Sequence, residues 1–402
     1  MTAPRLRAAA APLMALALAA SPAYVIRPHL GPLPTTLLEV LLVAAVAVGL
    51  YSHWGEIPWR SRYTLPALLL LLGATIDSVL APQPKAAAGI WKAYFLEPML
   101  AGLVIMVLAR SRANARLLLA GLGVAGVISA GFNIGKALAA IASHTYDRVT
   151  PPVAIYNSAN DVPLYLVPLA AMALSLVLFS DDRRERILAA AFTALAALAV
   201  ALSNSRSGWL ALAAVLVLVS MFSRWRWHAL GAAVAVSGAA FLALASVRER
   251  VMVEFRPADP NNTVRLRLSL WKSAGNLLLH RPLQGGGLSG FRDSVRPYRD
   301  PAYIEQLIYP HNLVLNFWSE TGLLGLAGFS WLLLTALLAC RRALKLGPWP
   351  RLLAVGVLGM LADYLLHGLT DVPYFKNDLA LEFWALLAIQ QGAASAAKPD
   401  NR

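Results

Sequence analysis

Apolar runs of about twenty residues recur from one end of the chain to the other, each closed by a short polar or proline-containing break. Runs of that length can cross a hydrocarbon core ~30 Å thick. They lack the alternating pattern of a transmembrane barrel, and a helix satisfies its own backbone hydrogen bonds in lipid, so the pattern predicts helices. Spans are expected near residues 8–26, 34–51, 64–81, 90–109, 117–142, 162–179, 187–203, 208–222, 229–247, 312–339, 352–368 and 378–391. The implied fold class is an all-α polytopic membrane protein with about twelve transmembrane helices and both termini on one side.

The pattern breaks once. Between residues 248 and 310 charged positions replace the apolar runs, which divides the chain into spans one to nine on short loops (1–247), a long outer loop (248–310), and spans ten to twelve with a tail (311–402). Inside the loop, Asn262 can cap a helix running to about Leu279. Arg265, Ser269, Lys272 and Asn276 would share one face, with Val264, Leu268, Trp271, Ala274 and Leu278 beside them. Such an amphipathic helix is expected to lie across the membrane surface. The alternation in RLRLSL, residues 265–270, also suits a strand. After Pro282, the glycines at 285, 286, 287 and 290 stop the helix and permit positive φ, either as a plain turn or as a loop offering its amides to phosphate.

Composition agrees with the membrane reading. Apolar residues make up 58% and charged residues 14%, with a mean hydropathy of +0.60, whereas a soluble domain carries about a quarter charged residues. Much of the net charge of +14 is topological. Arg60/Arg62, Arg110/Arg112/Arg116, Arg183/Arg184/Arg186, Arg224/Arg226 and Arg341/Arg342/Lys345/Arg351 fill alternate short loops, with Arg5, Arg7, Lys398 and Arg402 at the ends. The positive-inside rule assigns all of these to the cytoplasm, and charge so explained gives no reason to expect a nucleic-acid partner. The opening segment, with Arg5 and Arg7 before an apolar stretch and ASPA at 20–23, also has the outline of a cleavable signal peptide. The even span count favours its retention. Cys340 has no second cysteine to pair with.

The outward loop holds ten basic against six acidic residues, which reads either as a solvated loop or as an outward-facing anion site. Other outward polar segments are Pro82–Lys85, His144–Arg148 with Tyr156–Asn160, and Ser203–Gly208. Arg206, in the last of these, either snorkels to the interface or marks a substrate path. His311 stands where the loop re-enters the membrane.

Arg265 with Trp271, then RPLQGGGLSGF (281–291), then HNLVLNFWSETGLLG (311–325) resembles, in order and spacing, the signature of the O-antigen ligase and O-antigen polymerase superfamily. Asn157, Asn160 and Ser205–Gly208 resemble further features of that family. The resemblance implies transfer of an undecaprenyl-diphosphate-linked glycan to a sugar hydroxyl on the outer face of the bacterial inner membrane. The chain is most similar to the lipid A-core O-antigen ligase, whose acceptor is lipid A-core. O-antigen polymerase and protein O-oligosaccharyltransferase are the alternatives within the superfamily. A transporter or flippase for lipid-linked sugars is the alternative of another class, and it predicts internal repeats and discontinuous helices near the midplane. No repeat is seen.

The chemistry points the same way. A sugar leaving from a lipid diphosphate needs its developing negative charge stabilised by a divalent metal or by cationic side chains. The outer loops contain no D-x-D and no compact carboxylate cluster, so the expectation is a metal-free, cofactor-free site built from arginine. Arg206 and Arg265 are expected to hold the diphosphate, with Lys85 and Arg148 as further donors. Imidazole exchanges protons near neutral pH, so His311 is expected to take the acceptor hydroxyl proton, and direct displacement then inverts the anomeric centre. Its dull alternative is a helix cap. Glu320 is expected to make helix contacts, and Asp77, Glu97 and Asp363 structural hydrogen bonds.

Overall fold

The computed structural model describes residues 3–28, 35–148, 150–243, 245–256, 259, 262–300 and 308–397. Lys398 and Arg402, two of the terminal charges used for orientation, lie outside the described residues. Among those described, 78% is helix and there is no strand. In chain order the helices are α1 (Ala3–Ala19), α2 (Leu37–His53), α3 (Thr64–Val79), α4 (Pro84–Ile90), α5 (Glu97–Leu108), α6 (Arg112–Ala142), α7 (Asp161–Phe179) and α8 (Arg183–Leu202). There follow α9 (Arg206–Ser220), α10 (Arg226–Ala243), α11 (Ala245–Met252), α12 (Thr263–His280), α13 (Phe291–Ser294), α14 (Leu313–Ala343), α15 (Pro348–Gly368) and α16 (Asn377–Ala396). A π-helical stretch, Trp91–Leu96, joins α4 to α5.

Each expected span falls on helix, and seven of the helices are long and apolar enough to cross a membrane. The others fall short for identifiable reasons. α3 and α9, with 16 and 15 residues, are apolar but short. α16 is long enough, but Asp378, Glu382 and Gln390 interrupt it. All three are buried, because α16 is wrapped by α5, α7, α14 and α15 and meets protein on every side. A helix with no lipid-facing surface has no need to be uniformly apolar. At the other extreme, α10 buries none of its residues, and its main neighbours among the described residues are α9 and α11.

α12 forms where the Asn262 cap predicts it, with Arg265 N–H donating to Asn262 Oδ1 at 2.9 Å, so the strand alternative falls away. Its buried face differs from expectation. Leu270, Ala274 and Leu277 pack against Phe291 and Val295 of the segment that follows, while Val264 and Leu268 are exposed. The chain folds back on its own helix, and the returning α13 segment selects the stripe to be covered.

The most extensive helix pair among the described residues is α3 against α14. A Cβ on Gly73 would stand 2.4 Å from the Gly325 nitrogen, so the two backbones touch, as small residues permit between membrane helices. Three residues earlier α14 is broken: Gly322 has φ 63° and ψ −178°. The glycine loop fills the break. Leu323 N–H donates to Leu283 O (2.9 Å), Gly286 N–H to Ser319 O (2.8 Å), and Leu288 N–H to Asp77 O on α3 (3.0 Å). The Glu320 carboxylate accepts from the backbone N–H groups of Ser289 and Phe291. The amides of Gly285 and Gly286 are likewise taken, by Arg281 O and Ser319 O, so these amides of the loop bond within the protein, and Glu320 meets loop backbone.

Gly322→Ala is expected to destabilise strongly. The positive φ costs a non-glycine residue about 1–3 kcal/mol, and the new Cβ would meet Leu283 O at 2.4 Å, adding a comparable amount. Thermal unfolding of the detergent-purified variant, or its yield in membranes, checks this. A melting temperature equal to wild type would mean that the break is adaptable.

Candidate functional site

Four polar elements converge at one end of the bundle. The first is the N-terminus of α9, where Ser205 caps the helix through Gly208 N–H and leaves Arg206 as its first residue. The second is the N-terminus of α12, where Thr263 Oγ1 donates to Glu254 Oε1 (2.8 Å) and accepts from Arg206 Nη2 (3.3 Å) and Arg267 Nη1 (3.2 Å). Two guanidinium groups therefore meet on one hydroxyl. Arg206 is also ion-paired with Glu254. The third element is the loop Asn157–Asn160, which with Ser203–Ser207, Thr150, Thr263 and Arg267 encloses a cleft of about 280 Å³.

His311 and its partner form the fourth. Asn312, not His311, caps α14, accepting from Leu315 N–H at 3.0 Å, so capping does not explain the histidine. His311 itself has φ 47°, a strained value for a non-glycine residue. Its ring lies on Tyr309, centroids 4.4 Å apart, and its Nδ1 stands 3.4 Å from Asp371 Oδ1. That separation is long for a hydrogen bond and short enough for an electrostatic pair. Asp371 is buried in the loop between α15 and α16. Burial alone would raise its pKa, but His311 and then the charge of Arg267, with the Val372 N–H, outweigh burial and hold the carboxyl below its ordinary value. Asp371 is therefore ionised at neutral pH. Arg267 links the two halves of the site, lining the cleft on one side and acting on Asp371 on the other.

The expected donors separate on this geometry. Arg206 lines the cleft. Arg265 is exposed and does not. Two positions along a helix is a turn of about 200°, so Arg265 and Arg267 point to opposite sides of α12. The available signal was spacing: Arg267 precedes Trp271 by four residues and follows Thr263 by four, on one helix face. Lys85 is exposed at the start of α4 and outside the cleft. Arg148 reaches the region through its backbone, its carbonyl accepting from Asn204 Nδ2 at 2.5 Å, while its side chain is exposed.

The sequence reading also missed Asp371 and Lys376. Lys376 is ion-paired with Asp161 and lies 5.7 Å from the Tyr156 ring, beside the cleft loop. Asp77 has its role through its main-chain carbonyl, Glu97 lies 3.8 Å from Lys92, and Asp363 lies 2.8 Å from His367. Among the described residues, no three His, Cys, Asp or Glu side chains gather as metal ligands.

Residues 191–330 match the family model described as O-antigen ligase. The matched stretch, a little over a third of the chain, carries Arg206, α12, the glycine loop, His311 and Glu320. No curated protein matches the chain. Residues 191–330 are thus similar to the O-antigen ligase family, in a chain with seven helices long and apolar enough to cross a membrane.

Proposed function

We propose that the chain is an inverting glycosyltransferase that moves O-antigen glycan from undecaprenyl diphosphate to a sugar hydroxyl of lipid A-core, at the outer face of the bacterial inner membrane. The observation that carries this reading is the convergence of Arg206 and Arg267 on Thr263, with the charge of Arg267 acting on the ionised Asp371 beside His311. The two guanidinium groups bind the donor diphosphate in the cleft. Glu254 holds Arg206 in position until phosphate oxygens replace or share that contact.

With Nδ1 turned to Asp371, His311 offers Nε2 to the acceptor hydroxyl. The acceptor oxygen attacks the anomeric carbon as its proton passes to Nε2. The bond from that carbon to the diphosphate oxygen breaks, and the electron pair leaves with undecaprenyl diphosphate, where the arginines stabilise it. Asp371 stabilises the imidazolium that forms. Attack opposite the leaving group inverts the centre. A fixed positive pair makes a divalent ion unnecessary for this step.

The broken α14 is a feature that a transporter would share. Here the break is packed with the glycine loop and Glu320 instead of lining an open cavity, which favours the enzyme. The test is purified chain with lipid-linked O-antigen and lipid A-core, scored for a size-shifted lipid A-core product. Product is expected in EDTA as without it. Activity that vanishes in EDTA and returns with magnesium or manganese would contradict the arginine mechanism and turn attention to Asp147, Asp161 and Asp259. Longer lipid-linked glycan formed without lipid A-core would identify a polymerase.

A further inference from the structure

A second polar concavity, of about 250 Å³, lies between the loop joining α2 to α3 and the C-terminal ends of α5 and α16. Arg60, Arg62 and Arg110 line it, with Ser61, Gln391 and Ser395. Its position follows from α16. That helix starts beside the cleft, directly after Lys376, and carries Gln391 and Ser395 in its last turns. Its 20 residues extend ~30 Å at about 1.5 Å each, one hydrocarbon thickness. The concavity is therefore at the opposite membrane–water boundary from the cleft.

Aromatic side chains mark the same level. Trp54 and Trp59 pack together, centroids 5.0 Å apart, and both are exposed beside the concavity, as is Tyr51. Exposed tryptophan and tyrosine are typical of headgroup depth.

The charge is unbalanced. No acidic side chain lines the concavity, and the neighbouring Glu56 is ion-paired with Arg7 while its carbonyl accepts from Arg110 at 3.3 Å. Orientation by basic loops requires arginines on this face but not their convergence. Here, arginines about fifty residues apart in sequence meet in one hollow, with hydroxyl and amide donors among them and Pro58 and Met106 on its apolar edge.

We propose that this concavity binds a phosphate group, supplied by the headgroup of an anionic phospholipid in the leaflet opposite the cleft. Guanidinium forks bind the phosphate oxygens, and the apolar edge accommodates the start of the glycerol.

The test is native mass spectrometry of the full chain in detergent, titrated with phosphatidylglycerol, with phosphatidylcholine and inorganic phosphate as parallel probes. Saturable retention of phosphatidylglycerol over phosphatidylcholine is expected. Arg60→Ala/Arg62→Ala/Arg110→Ala should weaken it roughly hundredfold, and the corresponding triple lysine variant should restore only part of it, since it keeps the charge and loses the planar forks. Arg183→Ala/Arg184→Ala/Arg224→Ala removes as much charge from the same end of the bundle and should bind as wild type. Displacement by inorganic phosphate at comparable concentration would support the site with a soluble anion as its source. The proposal is overturned if neither probe binds saturably, if both alanine triples lose binding equally, or if the Arg60/Arg62/Arg110 triple retains it.

Discussion

His311→Ala should lower ligation turnover by roughly 10²–10⁴-fold while leaving donor affinity close to wild type, because the imidazole acts on the acceptor proton and not on the diphosphate. The geometry adds a second arm. Asp371 is ionised and faces His311 Nδ1, so Asp371→Asn should also lower turnover, by a smaller factor, through loss of imidazolium stabilisation and of ring orientation. Single-turnover ligation at saturating donor, together with a donor-binding titration, separates chemistry from binding. Wild-type turnover in His311→Ala would end the assignment even if the superfamily stands.

Arg206→Ala and Arg267→Ala should weaken donor binding as well as rate. Each deletes a charge-assisted contact worth about 1.5–3 kcal/mol in the ground state, hence about 10–150-fold in affinity, and more as charge develops on the leaving group. Lysine should rescue only partly, since it keeps the charge and loses the planar fork. Arg265→Ala is the internal comparison. Exposed and on the far side of α12, it should change donor affinity by less than either cleft arginine. Equal losses at Arg265 and Arg267 would mean that the cleft is not where the diphosphate sits.

The helices were legible because lipid imposes one pattern on every segment it touches. The described residues of each expected span are mostly helical, though only seven helices are long and apolar enough to cross a membrane, and Asn262 announced the start of α12. What lay against protein was less legible. α16 carries buried Asp378, Glu382 and Gln390, and only its neighbours explain why that is tolerated. The site was half visible for the same reason. Arg206 and His311 stand out locally, one as a charge between apolar runs and the other at a domain boundary. Asp371 is sixty residues from His311 and has no local signature. The choice between Arg265 and Arg267 depended on helix phase, which was set by the return of Phe291 and Val295.

The docking of the glycine loop into the break of α14 changes what kind of segment that loop is. Gly285 has φ 59° and Gly287 φ 83°, and a Cβ on either would meet backbone at 2.5 and 3.0 Å. Surface loops ordinarily tolerate inserted residues and proteolytic nicks. This one is hydrogen-bonded at both flanks of the break, and its near flank, Ser319, is only eight residues after His311, which stands just before the Asn312-capped turn. Its length is therefore as fixed as that of a packed helix, and an epitope tag or a protease site placed between Gly285 and Gly290 would reach the histidine, although in sequence it is more than twenty residues away.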